Sequence, residues 1–239
     1  LSHAVRPVRL LAACRDVLAH GGRVVLEFHH AQSIVSGGQF DVLGHAHLTY
    51  WSLAALESAA SGQGLVMLDA YRVPIHGGSI VATLGRSDDT RPRPSRRLQA
   101  LIDEERAAGL GSADDLGRVA EHASRVRSGL TAFVAEMRAT GRTLAGYGAP
   151  ARGTTLLNYC GLTSADVPFT VDRSPAKQGY LLPGCRIPVR PVEALEAARP
   201  NVVLVLPWPL ADEIVEQNAI VRSWAGEFVA AMPSLHRIS

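Results

Sequence analysis

Five of the nine histidines, His29, His30, His45, His47 and His76, fall in polar segments at the ends of apolar runs. An imidazole changes charge near neutrality and can therefore take a proton from a weak acid at physiological pH. His45 and His47 are two residues apart and share one face of an extended chain. With His29 or His30 they offer nitrogens to a metal. The stretch has no thiolates and no helical HxxxH spacing, so no metal is assigned. A single loop histidine bonded to backbone is the ordinary case. Five in one stretch point to an active site.

A second constellation, Gly146-Tyr147-Gly148-Ala149-Pro150-Ala151, has the G-x-G-x-x-A spacing between a strand-like and a helix-like segment. Asp172 follows where a ribose-binding acid would stand. Glycines permit close backbone approach, and a helix N-terminus offers unpaired N–H groups to phosphate. Pro150 removes one such donor. Three readings stay open: a bound NAD(P), another nucleotide or phosphate, and a tight structural turn.

The flanking patterns supply the elements that must hold these residues. Helical spacing over 5–19 ends at His20-Gly21-Gly22, and RVVLEF (23–28) reads as a buried strand. A polar, glycine-containing loop is expected over 31–47. Ser52 is a plausible N-cap for a helix running to Gly62. The runs 65–73 and 79–85, joined by Pro74-Ile75-His76-Gly77-Gly78, predict an antiparallel hairpin. SDDTRPRPSRR (87–97) reads as a solvated linker, although its arginines could meet an anionic partner.

Two helices are expected at 95–109 and 113–140. In the second, Leu116, Val119, Ala123, Val126, Leu130, Phe133, Val134 and Met137 form an apolar stripe that reads as core packing. Beyond Gly141 the pattern alternates strands at 143–148, 167–172, 201–207 and 227–233 with helices at 150–160, 192–198 and 210–224, and leaves 174–190 as a Pro/Gly loop. That alternation argues for a Rossmann-like parallel sheet. The fold class is α/β, in three parts: 1–86, a connector over 87–140, and 141–239.

Composition sets the outer limits. The 239 residues are 47% hydrophobic and 19% charged, which is globular rather than disordered. A net charge of +2 argues against a dedicated nucleic-acid binder. Apolar runs are broken before 18 residues, so no membrane span is expected. Cys14, Cys160 and Cys185 form no close pair, which disfavours zinc or a disulfide framework and suits a reducing, cytoplasmic setting. The chain opens on Leu1 without an initiator Met or signal pattern, and is expected to be part of a longer protein.

Five segments taken together carry a resemblance. FDVLGHAHLTYWSLAALESAASGQGL (40–65), VPIHGGSIVATL (73–84), GYGAPARGTTLLNYCGL (146–162), VDRSPAKQGYLLPGCRIPV (171–189) and VLVLPWPLADEI (203–214) resemble the deoxysugar C-methyltransferases. The resemblance implies an S-adenosylmethionine-dependent enzyme with a Cys-rich zinc domain, a class I methyltransferase domain and a Rossmann-like C-terminal domain. It further implies a nucleotide-diphosphate-linked keto-deoxysugar as substrate. Against that plan, residues 1–86 look like the closing elements of the methyltransferase lobe. The zinc domain and the glycine-rich cofactor loop are expected to lie upstream of Leu1. On this reading residues 1–86 alone do not make a competent cofactor site.

The chemistry so implied is removal of the proton beside the sugar ketone, then attack of the enolate on the sulfonium methyl. His47 matches the family's base, and His45 is a second candidate. The family's glutamate between them is Ala46 here, and its aromatic residue is Gly44. By the same resemblance His3 would touch the cofactor. Substrate contacts would come from His76, Gly77, Gly78, Tyr147, Arg152 and Lys177. The family's lysine at position 152 is arginine here, which keeps the charge and changes its geometry. Two other readings remain: a non-catalytic module that binds a nucleotide sugar, and an NAD-dependent enzyme using Gly146, Gly148 and Asp172.

Overall fold

A computed structural model describes residues 1–44, 46–89, 93–111 and 113–238. His45 and residues 90–92 of the linker lie outside the described residues. The chain forms two compact units. One comprises residues 1–37 and 45–119, the other residues 38–44 and 120–239.

The first unit begins with α1 (Pro7–Val17), where Pro7 stands at a position whose N–H has no helical partner. Then come β1 (Val24–His29), α2 (Ala31–Ser36), α3 (Leu53–Ser61), β2 (Leu65–Val73), β3 (Ser79–Arg86) and α4 (Arg96–Ala107). Ser52 caps α3 as expected, its Oγ accepting from the Ala55 N–H at 3.0 Å. Ser95 does the same for α4 through Leu98, also at 3.0 Å. In the sheet, β3 lies between β1 and β2 and runs antiparallel to both. Leu11, Leu53, Leu56, Ile80, Leu84 and Leu98 are sealed within its core.

The hairpin turn takes His76, Gly77 and Gly78 through positive φ (56°, 85° and 120°). A Cβ on Gly78 would also come within 2.6 Å of the Ser33 hydroxyl, so glycine is required there on two counts. The 31–47 segment is not wholly loop: α2 occupies its start, and Phe40–Val42 form a 3-10 turn. With six residues and no side-chain cap, α2 is too short to carry a periodic signal. Tertiary contacts hold it, through buried Ile34 and the bond from Ala31 N–H to Trp51 O at 2.9 Å.

Helix α5 (Ala113–Ala139) belongs to the first unit through Val119 and to the second from Ala120. Its buried line runs Val119, Ala123, Val126, Leu130, Val134, Met137. Leu116, expected in that stripe, is 73% exposed, because the helix turns its neighbour Asp115 inward at the start of the line.

The second unit contains β4 (Leu144–Tyr147), α6 (Ala151–Tyr159), β5 (Thr170–Val171), β6 (Val189–Arg190), α7 (Ala194–Ala198), β7 (Val202–Val205), α8 (Ala211–Gln217), β8 (Glu227–Ala230) and β9 (His236–Ile238). The order is β6-β5-β4-β7-β8-β9, with five parallel strands and β9 antiparallel at the edge. All eight residues of β4 and β7 are buried, as strands covered on both faces require. This is a Rossmann-like sheet whose direction of progression reverses between β4 and β7. The protein is thus mixed α/β, as the patterning implied.

Two strands departed from expectation. The 174–190 loop contributes β6, a two-residue strand beside Pro188 and Pro191 that offers no alternation to read. The C-terminal β9 is short, polar and at the edge, which suits a strand that must not recruit another. The expected helix over 210–224 is α8 followed by a 3-10 turn, Ala219–Trp224. No helix among the described residues is long and apolar enough to cross a membrane.

Candidate functional site

In the first unit, the segment bearing His47 is tied down at both ends. Near its start, the Leu48 N–H donates to Ser2 O at 2.9 Å, and His3 Nδ1 meets Ala46 O at 2.7 Å. A carbonyl only accepts, so His3 carries a proton on Nδ1 and, when neutral, a lone pair on Nε2. The His3 and His47 rings then meet edge to face, with centroids 4.9 Å apart and planes at 67°. Tyr50 also meets His47 edge to face, its centroid 6.0 Å away. His47 is half-buried and its neighbours are exposed, so the cluster opens to solvent.

The far end of that segment joins the end of β1. Ala31 donates to Trp51 O, and the N–H of His30 donates to Gly78 O at 3.2 Å. The His47 segment and the His76-Gly77-Gly78 turn are therefore hydrogen-bonded to consecutive residues of one strand end. His76 is exposed on the turn.

Beneath them lies a pair that reading the sequence missed. His30 and Glu105 are both almost wholly buried, with His30 Nε2 and Glu105 Oε1 2.5 Å apart. Glu105 also accepts from the Leu53 N–H at 2.6 Å and the Ala54 N–H at 3.1 Å. Burial alone would raise the Glu105 pKa; hydrogen bonds from His30 and the two backbone donors outweigh it and hold the carboxyl below its ordinary range. A signal was present, since Leu98, Leu101, Ile102 and Glu105 follow the i, i+3, i+4, i+7 spacing that puts a carboxylate on the apolar face.

In the second unit, Arg152 at the start of α6 sends Nε and Nη2 to the Asp41 carboxylate, at 2.8 and 3.0 Å. Trp208 Nε1 donates to the same carboxylate at 2.9 Å, and the guanidinium lies 4.8 Å from the Trp208 ring centroid. Arg152, expected to meet substrate, is thus engaged with Asp41. Lys177 Nζ stands 3.1 Å from Asp172 Oδ2 and remains 45% exposed. Tyr147 is buried at the end of β4 and lines a cleft of about 410 Å³ with Arg173, Gln178, Glu193, Gln217 and Asn218.

The glycine-rich turn is filled by protein. Asp172 accepts from the N–H groups of Ala149 (2.7 Å) and Ser174 (2.9 Å) as well as from Lys177. Burial pushes its pKa up, and these three bonds more than reverse that, leaving it lowered. A Cβ on Gly148, which has φ +89°, would meet Pro207 at 2.6 Å. Both features belong to a packed turn, and the acid expected to hold a ribose is spent on the turn itself.

Elsewhere, His20, Asp88 and Asp89 bring ligand-type atoms within 4.8 Å of one another. Arg86 already forms a two-bond pair with Asp88, lowering the pKa of that carboxyl to about 2, and Arg23 lies 3.8 Å from Asp89. The local acidic charge is thus countered by arginine. Burial pushes the Cys160 thiol to about 11, so it is not a thiolate nucleophile.

A family model described as the C-methyltransferase C-terminal domain matches residues 74–233, more than half of the chain. The chain belongs to the C-methyltransferase family. It is 33% identical over 224 residues to C-methyltransferase NovU of Streptomyces niveus, a match that covers 93% of this chain and 53% of that protein. The chain thus spans about half the length of the curated relative it matches. Among the candidate residues of this C-methyltransferase family member, the matched range includes His76, Gly77, Gly78, Tyr147, Arg152 and Lys177. His3 and His47 precede it.

Proposed function

We propose that the chain is the C-terminal portion of an S-adenosylmethionine-dependent C-methyltransferase whose substrate is a nucleotide-diphosphate-linked keto-deoxysugar, with His47 as base. The contact of His47 with His3 and Tyr50 carries this reading. A proton beside a ketone is acidic because the resulting charge is shared with the carbonyl oxygen. A half-buried imidazole held at the site edge is suited to removing it. The bond from His3 to Ala46 O fixes the backbone next to the base, so orientation comes from main chain where the family pattern has a carboxylate. His45, outside the described residues, stays the second proposed base.

S-adenosylmethionine would supply the methyl group. The described residues of the first unit offer it one edge, His3 beside His47, and not a full cradle for a purine and an amino acid. We assign residues 1–86 to the methyltransferase domain, 87–140 to a connector and 141–239 to the C-terminal domain. Contacts to the sugar nucleotide are proposed at His76, Gly77 and Gly78; in the second unit, taken by itself, Tyr147 and Lys177 are the proposed substrate-side residues. Arg152 contributes through its hold on Asp41.

The test is solvent deuterium incorporation at the carbon beside the sugar ketone, in a protein that carries the whole methyltransferase domain. His47→Asn is expected to abolish it, and exchange at the parent rate would overturn the assignment. Calorimetry on the 239-residue chain alone is expected to show no binding of S-adenosylmethionine. Micromolar affinity would refute the partial-site reading.

A further inference from the structure

We propose that Glu105 is a positioning residue for His47, acting from α4 through a single buried carboxylate that fixes the strand end and the helix start flanking the His47 segment. This rests on the reading of His47 as the base.

The arrangement starts from an unfavourable choice. A carboxylate on the apolar face of a helix must be desolvated, and a buried charged network commonly gives less stability than apolar side chains of similar size. Its second cost falls on His30, whose buried Nδ1 has no hydrogen-bond partner among the described residues. Stability is therefore a poor account of the pair, and geometry a better one.

The bonds made by Glu105 bear on either side of one short segment. Leu53 and Ala54 are the first two residues of α3, where unpaired N–H groups and the helix dipole favour an anion. The chain enters α3 from His47 through Trp51 and the cap Ser52. The third partner, His30, precedes Ala31, whose N–H holds Trp51 O, and its own N–H holds Gly78 O. One side chain thus sets the separation between the β1 end and the α3 start. The strip carrying His47 must span that separation, and the His76-Gly77-Gly78 turn is bonded to the same strand end.

The experiment is carried out on the 239-residue chain, labelled at histidine, by NMR. His47→Asn identifies the His47 Cε1–H signal. In Glu105→Gln the replacement amide cannot accept all three hydrogen bonds. The His47 signal is expected to move and its nuclear Overhauser contact to His3 to be lost, with His122 and His236 of the second unit unchanged. A folded Glu105→Gln protein with the parent His47 signal and the His3 contact intact would overturn the proposal. His30→Asn leaves the carboxylate and its two backbone bonds in place and gives a second reading should Glu105→Gln not fold. There too a moved His47 signal supports the proposal and an unmoved one overturns it. A parent enzyme without deuterium exchange would defeat the reading of His47 as base and leave this spectral test standing.

Discussion

Arg152 and Asp41 form a two-bond ion pair in which the carboxylate is fully buried, and the Trp208 indole both stacks on the cation and donates to the anion. The pair holds the Phe40–Val42 turn against α6. It gives Arg152 a role that a lysine cannot fill, because one ammonium cannot match two carboxylate oxygens and stack as a planar ion.

Arg152→Ala strands the Asp41 charge and is expected to destabilise the second unit by about 3 kcal/mol, in line with the loss of one partner of a buried pair. Arg152→Lys keeps the charge and should cost about 1–2 kcal/mol. Urea unfolding followed by tryptophan fluorescence would measure both. A negligible cost for Arg152→Lys would argue that geometry is unimportant at this position.

The second prediction concerns acid. The Glu105 carboxyl is held below its unfolded pKa in the folded protein. Its contribution to stability is therefore fully present above the unfolded value, about 4.3, and is lost as pH falls through the folded value. Glu105→Gln removes that dependence. The stability difference between parent and variant should be largest near neutrality and should shrink below about pH 4.3. Denaturant titrations from pH 7 downward would show it, and a gap that widened in acid would contradict the lowered pKa.

A third expectation follows from the glycine-rich turn. With Asp172 committed to Ala149, Ser174 and Lys177, and Pro207 packed where a Gly148 side chain would lie, NAD(H) should not raise the melting temperature of the protein. A rise of several degrees at millimolar cofactor would restore the dinucleotide reading.

These cases also show what a linear reading can reach. The Ser52 cap, the hairpin over 65–86 and the parallel strands β4 and β7 announce themselves through short-range rules: a hydroxyl before an apolar run, two strand runs joined by glycines, continuous burial. Helix α2 does not, because its six residues are held by Trp51 and Ile34 rather than by propensity. Nor do β6 and β9, whose pairing depends on strands already in place. The candidate site divides the same way. His47 and His76 stand out by residue type, whereas the contact of His3 with His47 joins residues 44 apart. The acid expected beside the base is Ala46, whereas Glu105, an acid buried in this unit, comes from a segment read only as a helix.

The last prediction uses that absence. In the family pattern a glutamate precedes the base, and here the position is the exposed Ala46. Its carbonyl, not its side chain, receives His3, so a larger side chain can be added without breaking that bond. On the proposed reading of His47 as base, Ala46→Glu restores the acid that the resemblance places next to it, a carboxylate that would stabilise the imidazolium formed when His47 takes the proton. Proton transfer by a positioned group is worth about 10²- to 10⁴-fold, and an orienting partner supplies part of it. In a protein carrying the whole methyltransferase domain, Ala46→Glu should raise deuterium exchange beside the sugar ketone by about tenfold. The gain should vanish in the Ala46→Glu, His47→Asn double variant. A gain that survived the loss of His47 would mean that the new carboxylate is itself the base.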